Sequence, residues 1–147
     1  MVIILIPAAI LHDIGWSKVS LELQLSKNKS KKHKALVEHI KQAPPIIRNI
    51  LKNLGYDKRK IEQIIDIVVA HKLTDPTEKE KQMIIDADTL SDTYKDSFYS
   101  DTKSYGQTPM DTWKFRNKNT FYTKTAKNIF KKQLAKRLEE IETTKSK

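Results

Sequence analysis

The chain has 147 residues, a length typical of one domain that can bury a substantial core. It contains no cysteine, which excludes disulfide bonds and thiolate metal sites, so a metal would be bound by histidine, carboxylate or water. The net charge of +10 favours anionic ligands but does not by itself indicate nucleic-acid binding.

The composition predicts an all-α fold, because glycine and proline are few and apolar residues recur at helical spacing. We expect a bundle of five to six helices that forms a single domain over residues 1–147, with a disordered tail at 143–147. The predicted elements, in chain order, are an apolar segment at 2–13, a polar connection at 17–34, helices at 35–42, 46–54, 58–73 and 78–95, a long loop at 96–119 and a final helix at 120–142.

Prolines and glycines set the predicted ends of these elements. Pro7 is expected to begin the first helical turn and Gly15 to end it. Pro44-Pro45 is expected to break the next helix, because proline lacks a backbone donor. The apolar residues 1–11 are too few to span a bilayer, so we expect a cytoplasmic protein without a membrane partner.

The adjacent pair His12-Asp13 is the most informative feature, since it follows an apolar run in the segment AAILHDIGW. Burying both side chains costs free energy unless a partner satisfies them, and a divalent metal would satisfy both. Three later residues also fall on predicted inward faces: His39 follows Ala35 and Leu36, His71 follows Ile64 and Val68, and Asp88 follows Ile84 and Ile85.

Each of these residues alone has a simpler interpretation. A single inward histidine is more often a satisfied core residue than a ligand, and Asp88 alone suits a cap or an ion pair. Together, imidazoles and carboxylates that converge from different helices are typical of a buried metal centre with one or two ions.

The segment AAILHDIGW resembles the signature of the HD superfamily of metal-dependent phosphohydrolases, and the later residues follow the order of that family. His12-Asp13 match the central doublet, His39 and His71 match the next two histidines, and Asp88 in IIDADTLSD matches the late aspartate. The resemblance covers residues 3–142 and implies an HD-like helical bundle.

The resemblance also implies a mechanism. His12, Asp13 and Asp88 would hold one divalent ion (Mn, Fe, Mg, Ni or Zn), and Asp13 would bridge to a second ion on His39 and His71. Metal-bound water at Asp13 would hydrolyse a small phosphomonoester or phosphodiester, plausibly a nucleotide. Lys72 would help to hold a phosphate, although a plain solvated lysine is the preferred interpretation.

Asp92 would orient a ligand or a substrate hydroxyl in this scheme. The family's first histidine, which precedes the doublet, has no counterpart among the eleven residues before His12. We therefore expect a fragment, a late-starting gene model or a member that has lost this ligand, with His33 as a conceivable but exposed substitute. The alternative function is a truncated or degenerate HD-like domain that binds a nucleotide or protein partner without catalysis.

A third hypothesis is a basic nucleic-acid binder, suggested by residues 111–147, where lysines and arginines are interleaved with aromatic residues. That charge falls mainly on the outer face of an amphipathic helix, and no nucleic-acid motif accompanies it. The sequence leaves the oligomeric state open, with a homodimer possible.

Overall fold

The computed structural model describes residues 2–145, and all regular elements in this range are helical, which confirms the all-α prediction. The helices are α1 (Val2–Leu11), a 3₁₀ helix (Ile14–Lys18), α2 (Leu21–Gln24), α3 (Lys29–Asn53), α4 (Lys58–Val69), α5 (Lys79–Ser91), α6 (Lys95–Ser104), α7 (Pro109–Arg116) and α8 (Lys124–Lys145). No helix in this part of the chain is long and apolar enough to cross a membrane.

The chain divides into two compact units, one ending at Ile84 and the other beginning at Ile85. In the first unit α1 packs on α4, and both α4 and the 3₁₀ helix pack on α3. Its core consists of side chains from these helices, led by Ala8, Leu11, Ala43, Ile47, Leu51, Ile61, Ile64 and Val68. Each large aliphatic side chain buried there stabilises the unit by about 1.5–3 kcal/mol.

In the second unit α6 packs on α7, and α7 packs on α8. The buried Phe98 and Phe130 belong to its core, and the indole N–H of Trp113 donates to the carbonyl of Leu134 at 3.0 Å. The buried carboxylate of Asp86 accepts the backbone N–H groups of Tyr122 and Thr123, both at 2.8 Å. Asp86 therefore satisfies backbone donors just before α8 begins. The prediction of a single domain over 1–147 stays a prediction.

The structure corrects several predicted boundaries in the first unit. The lysine-rich stretch expected to be a connection is helical from Lys29, because the Asn28 side chain accepts the N–H groups of Ser30 and Lys31. Pro44-Pro45 lies inside α3 rather than at a break, since the buried Ala43 and Ile47 hold the helix against the core.

Pro7 likewise lies inside α1 rather than at its beginning, and Gly15 belongs to the 3₁₀ helix rather than to the end of α1. Both residues lie in a segment whose position is set by tertiary packing. The local preferences of proline and glycine for helix ends did not predict these positions.

The second unit contains more helix than expected, so the chain has eight α-helices over residues 2–145 rather than five or six. The predicted loop at 96–119 holds α6 and α7, because Phe98, Thr102 and Thr112 are buried and Thr108 caps α7 through the N–H of Asp111. Helix α8 continues to Lys145, past its expected end at 142, and residues 146–147 lie outside the described range, so the disordered tail at 143–147 stays a prediction.

Candidate metal centre

Three elements of the first unit bring the predicted ligands together. His12 and Asp13 lie between the end of α1 and the 3₁₀ helix, His39 lies in the first half of α3, and His71 follows the end of α4. Because α4 packs on α3 and the 3₁₀ helix packs on α3, residues distant in the chain meet at one place.

Asp13, His39 and His71 form a compact triangle of donor atoms. The Oδ1 atom of Asp13 lies 3.6 Å from Nε2 of His39 and 3.5 Å from Nε2 of His71, and the two Nε2 atoms are 3.3 Å apart. An ion with bonds of about 2.0–2.2 Å to nitrogen and oxygen holds its ligands at separations of about 3–3.5 Å. The three donors therefore fit one coordination sphere.

His12 extends this triangle on the other side of the carboxylate. Its Nε2 atom lies 3.3 Å from Oδ2 of Asp13, and its ring lies edge-on to His71 with centroids 5.3 Å apart. The two oxygens of Asp13 thus face different histidines, an arrangement that suits a carboxylate shared between two positions.

Backbone carbonyls orient two of the imidazole rings. Nδ1 of His12 lies 2.8 Å from the carbonyl oxygen of Ala9, and Nδ1 of His71 contacts that of Val68. An ion at Nε2 would require the proton of each ring to lie on Nδ1, where it donates to the carbonyl, in place of the hydrogen bonds that these rings make with Asp13. A hydrogen bond from the second ring nitrogen to a carbonyl is the usual way in which proteins orient a metal-binding histidine.

His39 has two alternative proton positions with different consequences. A proton on Nε2 donates to Nε2 of His71, whereas a proton on Nδ1 leaves both Nε2 lone pairs free for an ion. Nδ1 of His39 is buried without a hydrogen-bond partner, so the ion-free protein favours the proton on Nε2, which has an acceptor. An ion at the triangle would require this proton to move to Nδ1.

The charge states also suit a cation. Burial lowers the pKa of His39 to about 4, and the neighbouring His71 ring adds to the decrease, so His39 is neutral at pH 7. Burial by itself raises the pKa of Asp13, but hydrogen bonds with His12 and His71 outweigh it and hold the pKa well below its usual range. The triangle therefore offers a carboxylate and neutral imidazole, the forms that bind metals.

Gly15 allows the 3₁₀ helix to approach α3 this closely. A Cβ atom at this position would lie 2.0 Å from the carbonyl oxygen of His39 and 2.9 Å from its Nδ1. Any side chain larger than hydrogen would force the 3₁₀ helix away from His39, so the glycine of the HDIG segment is needed for packing.

Trp16 is a residue of this site that the sequence reasoning missed. Its indole N–H donates to Oδ1 of Asp13 at 3.1 Å, and its ring stacks on His39 with centroids 4.4 Å apart and planes at 11°. The available signal was its spacing, since a residue three positions after Asp13 returns to the same side of a helical turn.

The other predicted residues have different environments. His39 and His71 are buried as expected, whereas the Asp13 side chain is 49% exposed and only one part of it is turned towards the buried imidazoles. His33 is exposed on α3. Lys72 is half-buried and its charge contributes to the low pKa of both Asp13 and His39.

Asp88 belongs to α5 and Asp92 directly follows that helix in the second unit, and both are half-buried. The carboxylate of Asp92 accepts a hydrogen bond from the guanidinium of Arg116, which gives it a structural partner within its own unit. The assignment of Asp88 as a ligand and of Asp92 as an orienting group stays a prediction from the sequence.

Comparisons with protein-family models, with curated proteins and with solved structures find no match to this chain.

Proposed function

We propose that this chain is a metal-dependent phosphohydrolase of the HD type that acts on a small phosphomonoester or phosphodiester, plausibly a nucleotide. The observation that carries the proposal is the triangle of Asp13, His39 and His71, whose donor atoms lie 3.3–3.6 Å apart. The resemblance of the HDIG segment and of the residue order supports it.

Each residue of the triangle has a defined part in this proposal. His39 and His71 supply nitrogen donors from the buried side of the site. Asp13 supplies the negative charge and directs one oxygen to the His39–His71 pair and the other to His12. A divalent ion bound there would lower the pKa of water to give hydroxide near neutral pH and would stabilise charge on phosphoryl oxygens.

The exposure of the site supports access by a substrate. The two histidines of the triangle are buried, whereas half of the Asp13 side chain is open to solvent, so a phosphate can approach from that side. Lys72 acts electrostatically on Asp13, which places its positive charge where it attracts an anionic substrate.

The remaining parts of the proposal come from the resemblance. They are Asp88 as a further ligand, Asp92 as an orienting group, one or two ions per chain and a cytoplasmic location. Among the ions, Mn, Fe, Ni and Zn suit a mixed imidazole and carboxylate site better than Mg does.

The test combines ion binding with hydrolysis. Purified protein is stripped of metal, reloaded with Mn, Fe, Ni, Zn or Mg, and assayed on p-nitrophenyl phosphate, bis-p-nitrophenyl phosphate and a set of nucleotides. We expect saturable ion binding by calorimetry and ion-dependent hydrolysis. In Asp13→Asn both should fall by more than about 100-fold, since losing even an outer-shell partner costs about 10- to 100-fold.

The matched control is Asp101→Asn, which removes a carboxylate that accepts from Arg116 in the second unit and should retain both properties. Undiminished hydrolysis in Asp13→Asn would contradict the proposal. Ion binding without hydrolysis of any phosphoester would favour the alternative, a domain that binds a nucleotide or protein partner without catalysis.

A further inference from the structure

Trp16 contacts two of the three residues of the metal triangle, although nothing in the proposed chemistry requires an indole. Its N–H donates to Asp13 at 3.1 Å, and its ring covers one face of the His39 imidazole at 4.4 Å. One side chain is therefore in contact with a carboxylate and an imidazole donor at the same time.

The hydrogen bond from Trp16 distinguishes the two oxygens of Asp13. It goes to Oδ1, the atom that faces His39 and His71, whereas Oδ2 faces His12. A carboxylate oxygen has two lone pairs, so the indole N–H leaves one of them on Oδ1 for an ion. The bond also opposes rotation of the carboxylate, which would exchange the two oxygens.

The backbone holds Trp16 and Asp13 in fixed relative positions. The N–H of Trp16 donates to the carbonyl of Asp13 at 3.1 Å, and the carbonyl of Trp16 accepts from the N–H of Val19 and the side-chain amide of Gln24. Asp13 occupies the N-cap of the 3₁₀ helix but makes no capping bond with its side chain. Its carboxylate is thus held by side chains, the Trp16 indole and the histidines, rather than by backbone N–H groups of the 3₁₀ helix.

From this geometry we infer that Trp16 is a positioning residue of the metal centre, which fixes Oδ1 of Asp13 and the His39 ring so that their donor atoms meet at the ion. The inference rests on the proposed function, because it requires that the triangle binds an ion. It adds a tryptophan to a ligand set made only of histidine and aspartate.

The first test measures ion affinity by calorimetry in Trp16→Phe, which keeps an aromatic ring over His39 but deletes the N–H donor. We expect Ni or Zn to bind about 10- to 100-fold more weakly, the range for loss of a partner that orients a metal ligand. Trp113→Phe is the matched control, since it deletes an indole N–H that donates to Leu134 in the second unit. Its ion affinity should equal that of the parent protein.

The second test uses the emission of single-tryptophan proteins. The chain has two tryptophans, so Trp113→Phe leaves Trp16 alone and Trp16→Phe leaves Trp113 alone. Nickel, which quenches nearby indoles, should reduce Trp16 emission in a saturable manner at the calorimetric dissociation constant. Additional replacement of His39 by Leu should abolish this quenching, which would assign the signal to an ion at the triangle rather than to nickel bound elsewhere.

If Trp16→Phe fails to fold by circular dichroism, Trp16 is replaced by its benzothiophene analogue in the Trp113→Phe background. This analogue retains the bicyclic ring and lacks only the N–H, so the same loss of affinity is expected. Unchanged affinity in the folded variant would overturn the role of Trp16 while leaving the proposed function intact. Failure of the parent protein to bind any divalent ion would overturn both.

Discussion

Each unit of the molecule brings polar side chains from different parts of the chain into one cluster. The two clusters differ in whether their carboxylates are already paired with a cationic side chain. In the second unit the guanidinium of Arg116 donates to the carboxylates of both Asp92 and Asp101, so opposite charges satisfy one another. In the first unit one carboxylate faces the ring nitrogens of His39 and His71, which present lone pairs once their protons lie on Nδ1.

This difference separates a structural cluster from the cluster that we propose binds an ion. A paired arginine and two carboxylates gain nothing from an added ion, and removal of one partner leaves the others uncompensated. Two imidazoles and a carboxylate gain a cation at their centre without any partner being displaced except a proton. The two clusters therefore differ in one respect: the Arg116 cluster already contains a cation, whereas the cluster of Asp13, His39 and His71 does not.

The largest effect is expected at Gly15, where the backbone of the 3₁₀ helix packs directly against His39. Gly15→Ala should destabilise the first unit by about 3 kcal/mol or more, at the upper end of overpacking costs, because its Cβ would meet the His39 carbonyl at 2.0 Å. Ion binding should be lost as well, since the 3₁₀ helix must move. Urea denaturation and calorimetry measure the two effects.

Gly106→Ala is the matched control in the second unit. Gly106 has a φ of +61° but nothing within 4 Å of a Cβ atom, so only the left-handed conformation is penalised, at about 1–2 kcal/mol. Ion affinity should be unchanged. Equal destabilisation by the two substitutions, with ion binding retained in both, would show that the close approach at Gly15 is not needed for the site.

The second cluster is tested by Arg116→Met. The Arg116 side chain is 13% exposed, and both of its carboxylate partners are about one-third exposed. We therefore expect the free energy of unfolding to fall by about 3 kcal/mol, near the lower end for a broken buried ion pair. Ion affinity of the first unit should not change.

Arg48→Met provides the comparison for this variant. Arg48 pairs with Glu62 on the surface, where both side chains are roughly half-exposed, and such pairs contribute little to stability. A large loss of ion affinity in Arg116→Met, with its stability unchanged, would mean that the second cluster is not structural.

The smallest of the three effects is the dependence of stability on pH in the ion-free protein, which follows from protonation of His39. His39 has a pKa of about 4 in the folded state and about 6.5 when unfolded, so the unfolded state binds more protons between these values. Stability should therefore fall as the pH decreases from above 6.5 towards 4, by at most about 3 kcal/mol. The groups that face this ring and set its pKa are His71, Asp13, Lys72 and His12.

Urea denaturation at several pH values in the presence of a chelator measures the slope of unfolding free energy against pH. His39→Gln, which does not ionise, should flatten it, whereas His33→Gln on the exposed side of the same helix should leave it unchanged. Added ion should steepen the dependence, because protons and metal compete for the same nitrogens. A slope that is identical in His39→Gln would mean that His39 is not the responsible group.

The sequence predicted the all-α class and the buried stripe of α4, because Ile61, Ile64 and Val68 follow the helical period without interruption. It did not predict that α3 continues through Pro44-Pro45, since the packing of Ile47 and Leu51 on the core outweighs the local preference for a break. Local propensity fails where tertiary packing decides, which also explains the two short helices found in the expected loop.

The candidate site was predictable to a similar extent. His39 and His71 were identified because a polar residue at an apolar, buried position costs free energy unless a partner satisfies it. Trp16 was missed, since its role depends on the angle between the 3₁₀ helix and α3, which no periodicity encodes. Asp86 and Asp88 also look alike in sequence, and only the structure shows that Asp86 is used to cap the start of α8.

The proline pair in α3 has a consequence for local opening of the molecule. Neither proline can donate to the carbonyl four residues earlier, so the hydrogen-bond ladder of this helix is interrupted at Ile40 and Lys41, directly after His39. Amide hydrogen exchange should therefore show two protection levels along α3, since the segment before the prolines can unwind without disturbing the turns after them. The histidine-bearing half of the longest helix would then exchange with its own opening free energy, raised when an ion is bound.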